Sequence, residues 1–127
     1  MSLRTHSLSV TFGPPAGPPV LDNVDFALEP GRFDMIVGAN GAGKSTLLRA
    51  LAGLQTPNKG FVSLDDQRLT TMPMAARARH IGFLPQEISP AFAYSVADTV
   101  ALGARVAGLG HWFDHGLNAS ATRAVDA

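Results

Sequence analysis

Nine consecutive residues, Gly38-Ala39-Asn40-Gly41-Ala42-Gly43-Lys44-Ser45-Thr46, leave this chain few architectures to choose from. They fit G-x-x-x-x-G-K-[ST] without a mismatch. At ordinary residue usage a chance match arises in roughly one chain of this length in a few hundred, so the run is read as a signal. Its residue types answer one problem, the holding of a polyphosphate without burying many cationic side chains. Gly38, Gly41 and Gly43 lack a Cβ and allow backbone angles that turn successive N–H groups into a concave nest. The following Ser45 to Ala52 is rich in Leu and Ala and predicts a helix, whose N-terminus adds partial positive charge. Lys44 supplies a point charge expected between the β- and γ-phosphates. The Ser45 hydroxyl is the expected protein ligand of Mg²⁺, and Thr46 reaches the α-phosphate. Apolar Phe33-Asp34-Met35-Ile36-Val37 reads as the strand entering the loop. Strand, loop and helix together predict a site for a nucleoside triphosphate and Mg²⁺.

The rest of the chain must supply a body for that loop. With 127 residues, 46% apolar and 16% charged, it predicts one globular unit. Ten basic and ten acidic side chains cancel, so no charge field steers the chain toward nucleic acid, which is not expected as a partner. The absence of cysteine rules out disulfides and thiolate metal sites. Met1 to His6 is too polar for a secretory signal, and no run approaches the ~18 apolar residues of a membrane span, so a cytoplasmic location is expected.

Leu3 to Phe12 reads as a strand with Leu8, Val10 and Phe12 on one face, followed by the stiff Gly13 to Pro19 turn. From the strand pattern alone, Phe12 is a core residue or an aromatic free to stack on a base. Val20 to Leu28 reads as a second strand, with Val20, Val24, Phe26 and Leu28 inward and a kink near Asp22-Asn23. Asp34 interrupts an apolar strand and is expected at its exposed entrance. Gly53 is placed to end the helix, Gln55 to Gly60 is a loop, and Phe61 to Leu64 is a short strand before a turn at Asp65-Asp66. Pro73 to Arg79 predicts a helix with Pro at its first position and with Arg77 and Arg79 solvated; His80 joins that solvated surface. Ile81 to Leu84 reads as a strand, with Gln86 at its tip, where ligands collect in open α/β sheets. Ser95 and Asp98 have the spacing of a capping box that opens a helix, and Gly103 to Gly116 reads as irregular. Ser120 to Ala127 reads as the start of another helix. His111 and His115 are four apart, but the glycines around them and the want of a third ligand argue against a metal site.

Taken in order, Leu8-x-Val10-x-Phe12, Val20-Leu21-x-x-Val24, the Gly38 to Thr46 loop with Leu47-Leu48, Leu51-Ala52-Gly53-Leu54, Leu84-Pro85-Gln86 and Ser95-Val96-x-Asp98-x-Val100 resemble the first half of an ATP-binding-cassette transporter ATPase. That resemblance implies an α/β fold of the phosphate-loop NTPase kind: an antiparallel β-subdomain and the first strands of a parallel sheet over residues 1–86, then the start of a helical subdomain over 87–127. It implies an adenine-stacking role for Phe12 and identifies Gln86 with the glutamine that touches Mg²⁺ and the attacking water and relays nucleotide state to a membrane subunit. Permease subunits and a second copy of the ATPase are the implied partners, and the inner face of the membrane is the implied location. Residues from Met72 to Gln86 and from Ser95 to Gly103 look most like importers of iron-siderophore, haem or vitamin B12 type, although Gly103-Ala104-Arg105-Val106-Ala107 departs from their Gly-Arg-x-Pro run.

The family's Leu-Ser-Gly-Gly-Gln motif, its Walker B Asp, catalytic Glu and switch His are not found in this chain. None of His6, His80, His111 or His115 can replace the switch His, since each precedes the Walker B region. The strands at Phe33 and Ile81 are therefore expected to show bare apolar edges. Three readings follow: a piece of an importer's ATPase subunit, a free-standing nucleotide-binding module without catalysis, or another phosphate-loop enzyme such as a small-molecule kinase or GTPase. The last lacks an Asn-Lys-x-Asp guanine motif or a second acidic motif.

Overall fold

The computed structural model describes residues 1–14, 17–87 and 94–106. These divide into two compact units: Met1–Arg77 with Ile81–Phe83, and Ala78–His80 with the described residues from Leu84 onward.

The first unit is built on a four-stranded antiparallel sheet in the order β2-β1-β3-β4, with β1 at Leu3–Val10, β2 at Leu21–Leu28, β3 at Lys59–Leu64 and β4 at Gln67–Arg68. Two bulges set its register. Along β1 the inward side chains are Thr5, then Leu8 and Val10, and the three-residue step from 5 to 8 is taken at Ser7, whose φ is +46°. Along β2 they are Leu21, then Val24, Phe26 and Leu28, with Asn23 at φ +49° absorbing the same step. A bulge leaves backbone groups without ladder partners. Here polar side chains serve them: Ser7 N–H donates to Asp25 Oδ1 at 2.8 Å, Asn23 N–H to Ser9 Oγ at 3.0 Å, and Phe26 N–H to Thr5 Oγ1 at 2.8 Å. Those bonds explain why Thr5 and Ser9 are buried among apolar neighbours. The kink expected at Asp22-Asn23 is present, but it puts Leu21 inward and leaves Val20 exposed.

The helix α1, Lys44–Leu51, covers the sheet. Its buried residues Leu47, Ala50 and Leu51 lie at the spacing of one helical face and meet Leu8, Val10, Leu21, Val62, Leu64 and Leu69 in a single core. Each fully buried Leu stabilises this contact by about 2 kcal/mol. Gly53 ends the helix as expected, at φ +70°. A 3₁₀ turn at Leu69–Thr71 leads to a short helix α2, Met74–Ala78, with Pro73 one residue ahead of it. In the second unit α3 spans Val96–Val106, so the helix continues through Gly103, where an irregular chain was expected. The Ser95–Asp98 capping box is formed in full, with the Ser95 hydroxyl and N–H both donating to Asp98 Oδ2, at 2.6 and 3.2 Å, and Asp98 N–H donating to Ser95 Oγ at 3.1 Å. The readings of His111, His115 and the segment from Ser120 fall outside the described residues.

Two expected strands are not formed as strands. Neither Phe33–Val37 nor Ile81–Leu84 is paired into a sheet. Parallel strands take their ladder bonds from neighbours distant in sequence, and the described residues offer these segments none. Phe33–Val37 still alternates with a period of two: Phe33, Met35 and Val37 are 88%, 72% and 77% exposed, while Asp34 and Ile36 are half-buried. Asp34 thus lies on the half-buried face and not at an exposed entrance.

Candidate nucleotide-binding site

The loop Gly38–Thr46 closes on itself before the helix begins, with Ala42 N–H donating to the Ala39 carbonyl at 3.2 Å. Gly41 and Gly43 take left-handed angles, φ +82° and +87°, and Gly38 does not. Gly43 is the N-cap of α1 and is held by more than its φ. A Cβ there would stand 2.9 Å from Leu21 Cδ2, 2.9 Å from the Val20 carbonyl oxygen and 3.3 Å from Val20 Cγ1. The start of β2 is therefore a wall against which the loop turns into the helix.

No side chain caps α1, and its first turn holds no acidic residue. The first amides of a helix have no intrahelical acceptor, so this end of α1 presents N–H groups and a positive dipole to any anion brought to it. Ser45 is exposed and Thr46 half-buried on that first turn. Lys44 donates its Nζ to the Gly38 carbonyl at 2.8 Å and to the Ala39 carbonyl at 2.6 Å, which ties the ammonium to the first two residues of the loop. Asn40 and Ala42 are exposed. This donor set, all N–H, hydroxyl and ammonium with no carboxylate, fits a polyphosphate with a hard cation at Ser45. Among the described residues no group of three or more His, Asp or Glu side chains is arranged to hold a metal ion by itself.

Phe12 lies two residues beyond β1 and is 53% exposed, so it is not a core residue. Val20 links its surroundings to the loop: its N–H donates to the Val10 carbonyl at 2.7 Å while its own carbonyl and Cγ1 pack on Gly43. Gln86 is exposed and belongs to the second unit.

The ABC transporter family profile matches residues 21–126, most of the chain. This chain belongs to the ABC transporter family. The hemin import ATP-binding protein HmuV of Pseudomonas aeruginosa is 40% identical to this cassette over 125 residues, 98% of this chain and 48% of that protein. That of Nocardia farcinica is 44% identical over 105 residues, 81% of this chain and 36% of that protein. The chain thus spans about half or less of the length of the relatives it matches. Among solved structures, an ATP-binding subunit of an ABC transporter aligns with TM-score 0.75 and 27% identity over 87% of this chain and 45% of the other. The dimeric bacterial ABC cassette MJ0796 shares the fold at TM-score 0.81, with 22% identity over 98% of this chain and 54% of the other. The α/β phosphate-loop fold of an ABC cassette, in its N-terminal antiparallel part, is thereby established for this chain.

Sequence reasoning missed two residues of this ABC site region. Val20 was read as an inward strand residue, and nothing in its local pattern marks it as a wall of the loop. Arg77 was read as solvated, yet it is half-buried and donates Nη1 to the Gly53 carbonyl at 3.1 Å. The only sequence signal for it is a cation on a helix that follows a Gly-terminated one.

Proposed function

We propose that this chain is the nucleotide-binding part of an ATPase subunit that drives haem import. The observation that carries the reading is the uncapped N-terminus of α1, preceded by a left-handed Gly43 wedged against Val20 and Leu21 and followed by an ammonium held over the first carbonyls of the loop. Gly38 to Thr46 hold the phosphates in this reading, with Lys44 at the β- and γ-phosphates and Thr46 at the α-phosphate. Ser45 holds Mg²⁺, which when bound neutralises phosphate charge, and Gln86 contributes to the same ion and orients water. Phe12 stacks on the adenine. Residues 1–86 form the β-subdomain and loop core and residues 87–127 open the helical subdomain. A second copy of the subunit and a permease complete the machine at the inner face of the membrane, and the names of the relatives favour haem over iron-siderophore or vitamin B12 as cargo.

Titration of Mg-ATP by calorimetry tests the site. The parent binds, Lys44→Ala abolishes binding, and Gln86→Ala leaves most of it; equal affinity in Lys44→Ala and parent refutes the assignment. Uptake of hemin by vesicles carrying the whole subunit with its permease tests the cargo, and transport that ignores hemin rejects it.

A further inference from the structure

The phosphate-loop helix has a rear end as well as a front. After Ala52, Gly53 N–H donates to the Ala50 carbonyl at 2.9 Å and Leu54 N–H to the Arg49 carbonyl at 2.8 Å. This is the two-bond Schellman ending, with the left-handed residue at Gly53. The Gly53 carbonyl lies outside that pattern and is taken by Arg77 Nη1. The approach is close: a Cβ on Gly53 would stand 2.7 Å from Nη1 and 3.6 Å from both Cδ and Cζ, so the guanidinium fills the space a side chain would need. Arg77 Nε is buried and has no hydrogen-bond partner among the described residues. The cation stands at the negative end of the α1 dipole, where it is favoured.

The backbone of Arg77 is anchored as well. The Pro73 carbonyl accepts from Ala76 N–H at 3.0 Å and Arg77 N–H at 3.1 Å, and the Arg77 carbonyl accepts from Ile81 N–H at 2.9 Å. One residue thus holds the last turn of α1 by its side chain and the start of Ile81–Phe83 by its carbonyl. An eight-residue helix is too short to be stable alone. Its placement depends on what holds its two ends, the Gly43 wedge in front and Arg77 behind.

We propose that Arg77 is a positioning residue for the phosphate site, fixing the rear of the helix whose front carries the loop and making loop geometry sensitive to the segment Ile81–Phe83. The inference rests on the nucleotide reading given above. It is tested on the full chain with Arg77→Met, which keeps the apolar stem without the donors or charge, and with Arg77→Lys, which restores the charge. Amide hydrogen exchange is followed at Gly53, Leu54 and through α1, and Mg-ATP affinity by calorimetry. Arg77→Met speeds exchange at these amides and weakens ATP binding by about threefold to tenfold, and Arg77→Lys recovers part of that loss. A residue that served stability alone would lower the unfolding midpoint without changing the affinity of the folded protein, and that result overturns the proposal, as does unchanged exchange in Arg77→Met. Should Arg77→Met not fold, Arg77→Lys carries the test: weaker ATP binding supports the clamp and parent affinity overturns it. A parent that binds no ATP brings down the nucleotide reading together with this one, whereas a parent that binds ATP beside an unaltered Arg77→Met brings down the clamp alone.

Discussion

Leu21 Cδ2 lies so near Gly43 that a Cβ at position 43 would stand 2.9 Å from it. The Val20 carbonyl oxygen is equally close, and the φ of Gly43 is +87°. Gly43→Ala therefore meets two obstacles, a left-handed backbone and a wall belonging to the sheet. Its expected cost is about 2 kcal/mol at the helix N-terminus, read as roughly a thirtyfold loss of Mg-ATP affinity by calorimetry. Leu21→Ala removes part of the wall. The double variant Leu21→Ala/Gly43→Ala should bind ATP more tightly than the two single losses add up to, and strict additivity would show that the wall does not act on the loop.

Asp34 offers a prediction of the opposite sign. Its Oδ2 is buried with no hydrogen-bond partner among the described residues, and Oδ1 is 4.0 Å from Arg32 Nη2. So long an ion pair at the surface contributes little. The unpaired oxygen costs more than the pair returns, and Val at this position suits the half-buried face shared with Ile36. Asp34→Val is expected to raise stability by about 1 kcal/mol, seen as a higher urea midpoint at constant slope. A lower midpoint would mean that the carboxylate has a partner it needs.

The capping box of α3 makes that helix sensitive to acid. Hydrogen bonds from the Ser95 hydroxyl, and secondarily from its N–H, hold the Asp98 carboxyl below its ordinary value of 3.8. A carboxyl whose folded pKa is depressed contributes stability above its unfolded value and loses it as pH falls through the folded one. Exchange at the Asp98 and Thr99 amides should therefore be slow, once corrected for its intrinsic pH dependence, at pH 5 to 7 and lose protection below about pH 4. Asp98→Asn should remove the pH dependence, and a profile unchanged by that substitution would assign it to another group.

The contrast between these sites shows what one-dimensional pattern can and cannot carry. The loop was legible because its chemistry lies in nine contiguous residues, and the Ser95–Asp98 box because a cap is local. Leu8 and Val10 were read onto one strand face, and they share it because the β1 bulge lies before them, whereas the step at Ser7 had no local mark. Its trace is on another strand: Gly60, at φ +72°, packs so tightly on the His6 and Ser7 carbonyls that no Cβ fits. Phe33–Val37 and Ile81–Leu84 have strand composition, but a ladder is a property of pairs and the partners of a parallel strand are far away in sequence. Arg77 was missed for the same reason, since its acceptor lies 24 residues back at Gly53.

Phe12 separates base recognition from phosphate recognition. It stands just past the end of β1, half exposed, and the neighbouring strand end is joined to the loop through Val20. An aromatic face on adenine contributes about 1 kcal/mol, enough to help and little enough to lose without abolishing the site. Phe12→Ala should weaken Mg-ATP by about fivefold and leave the affinity for inorganic triphosphate unchanged, because that ligand has no base to stack. Phe12→Tyr should bind ATP as the parent does. If triphosphate affinity falls in step with ATP in Phe12→Ala, the ring supports the loop and does not read the base.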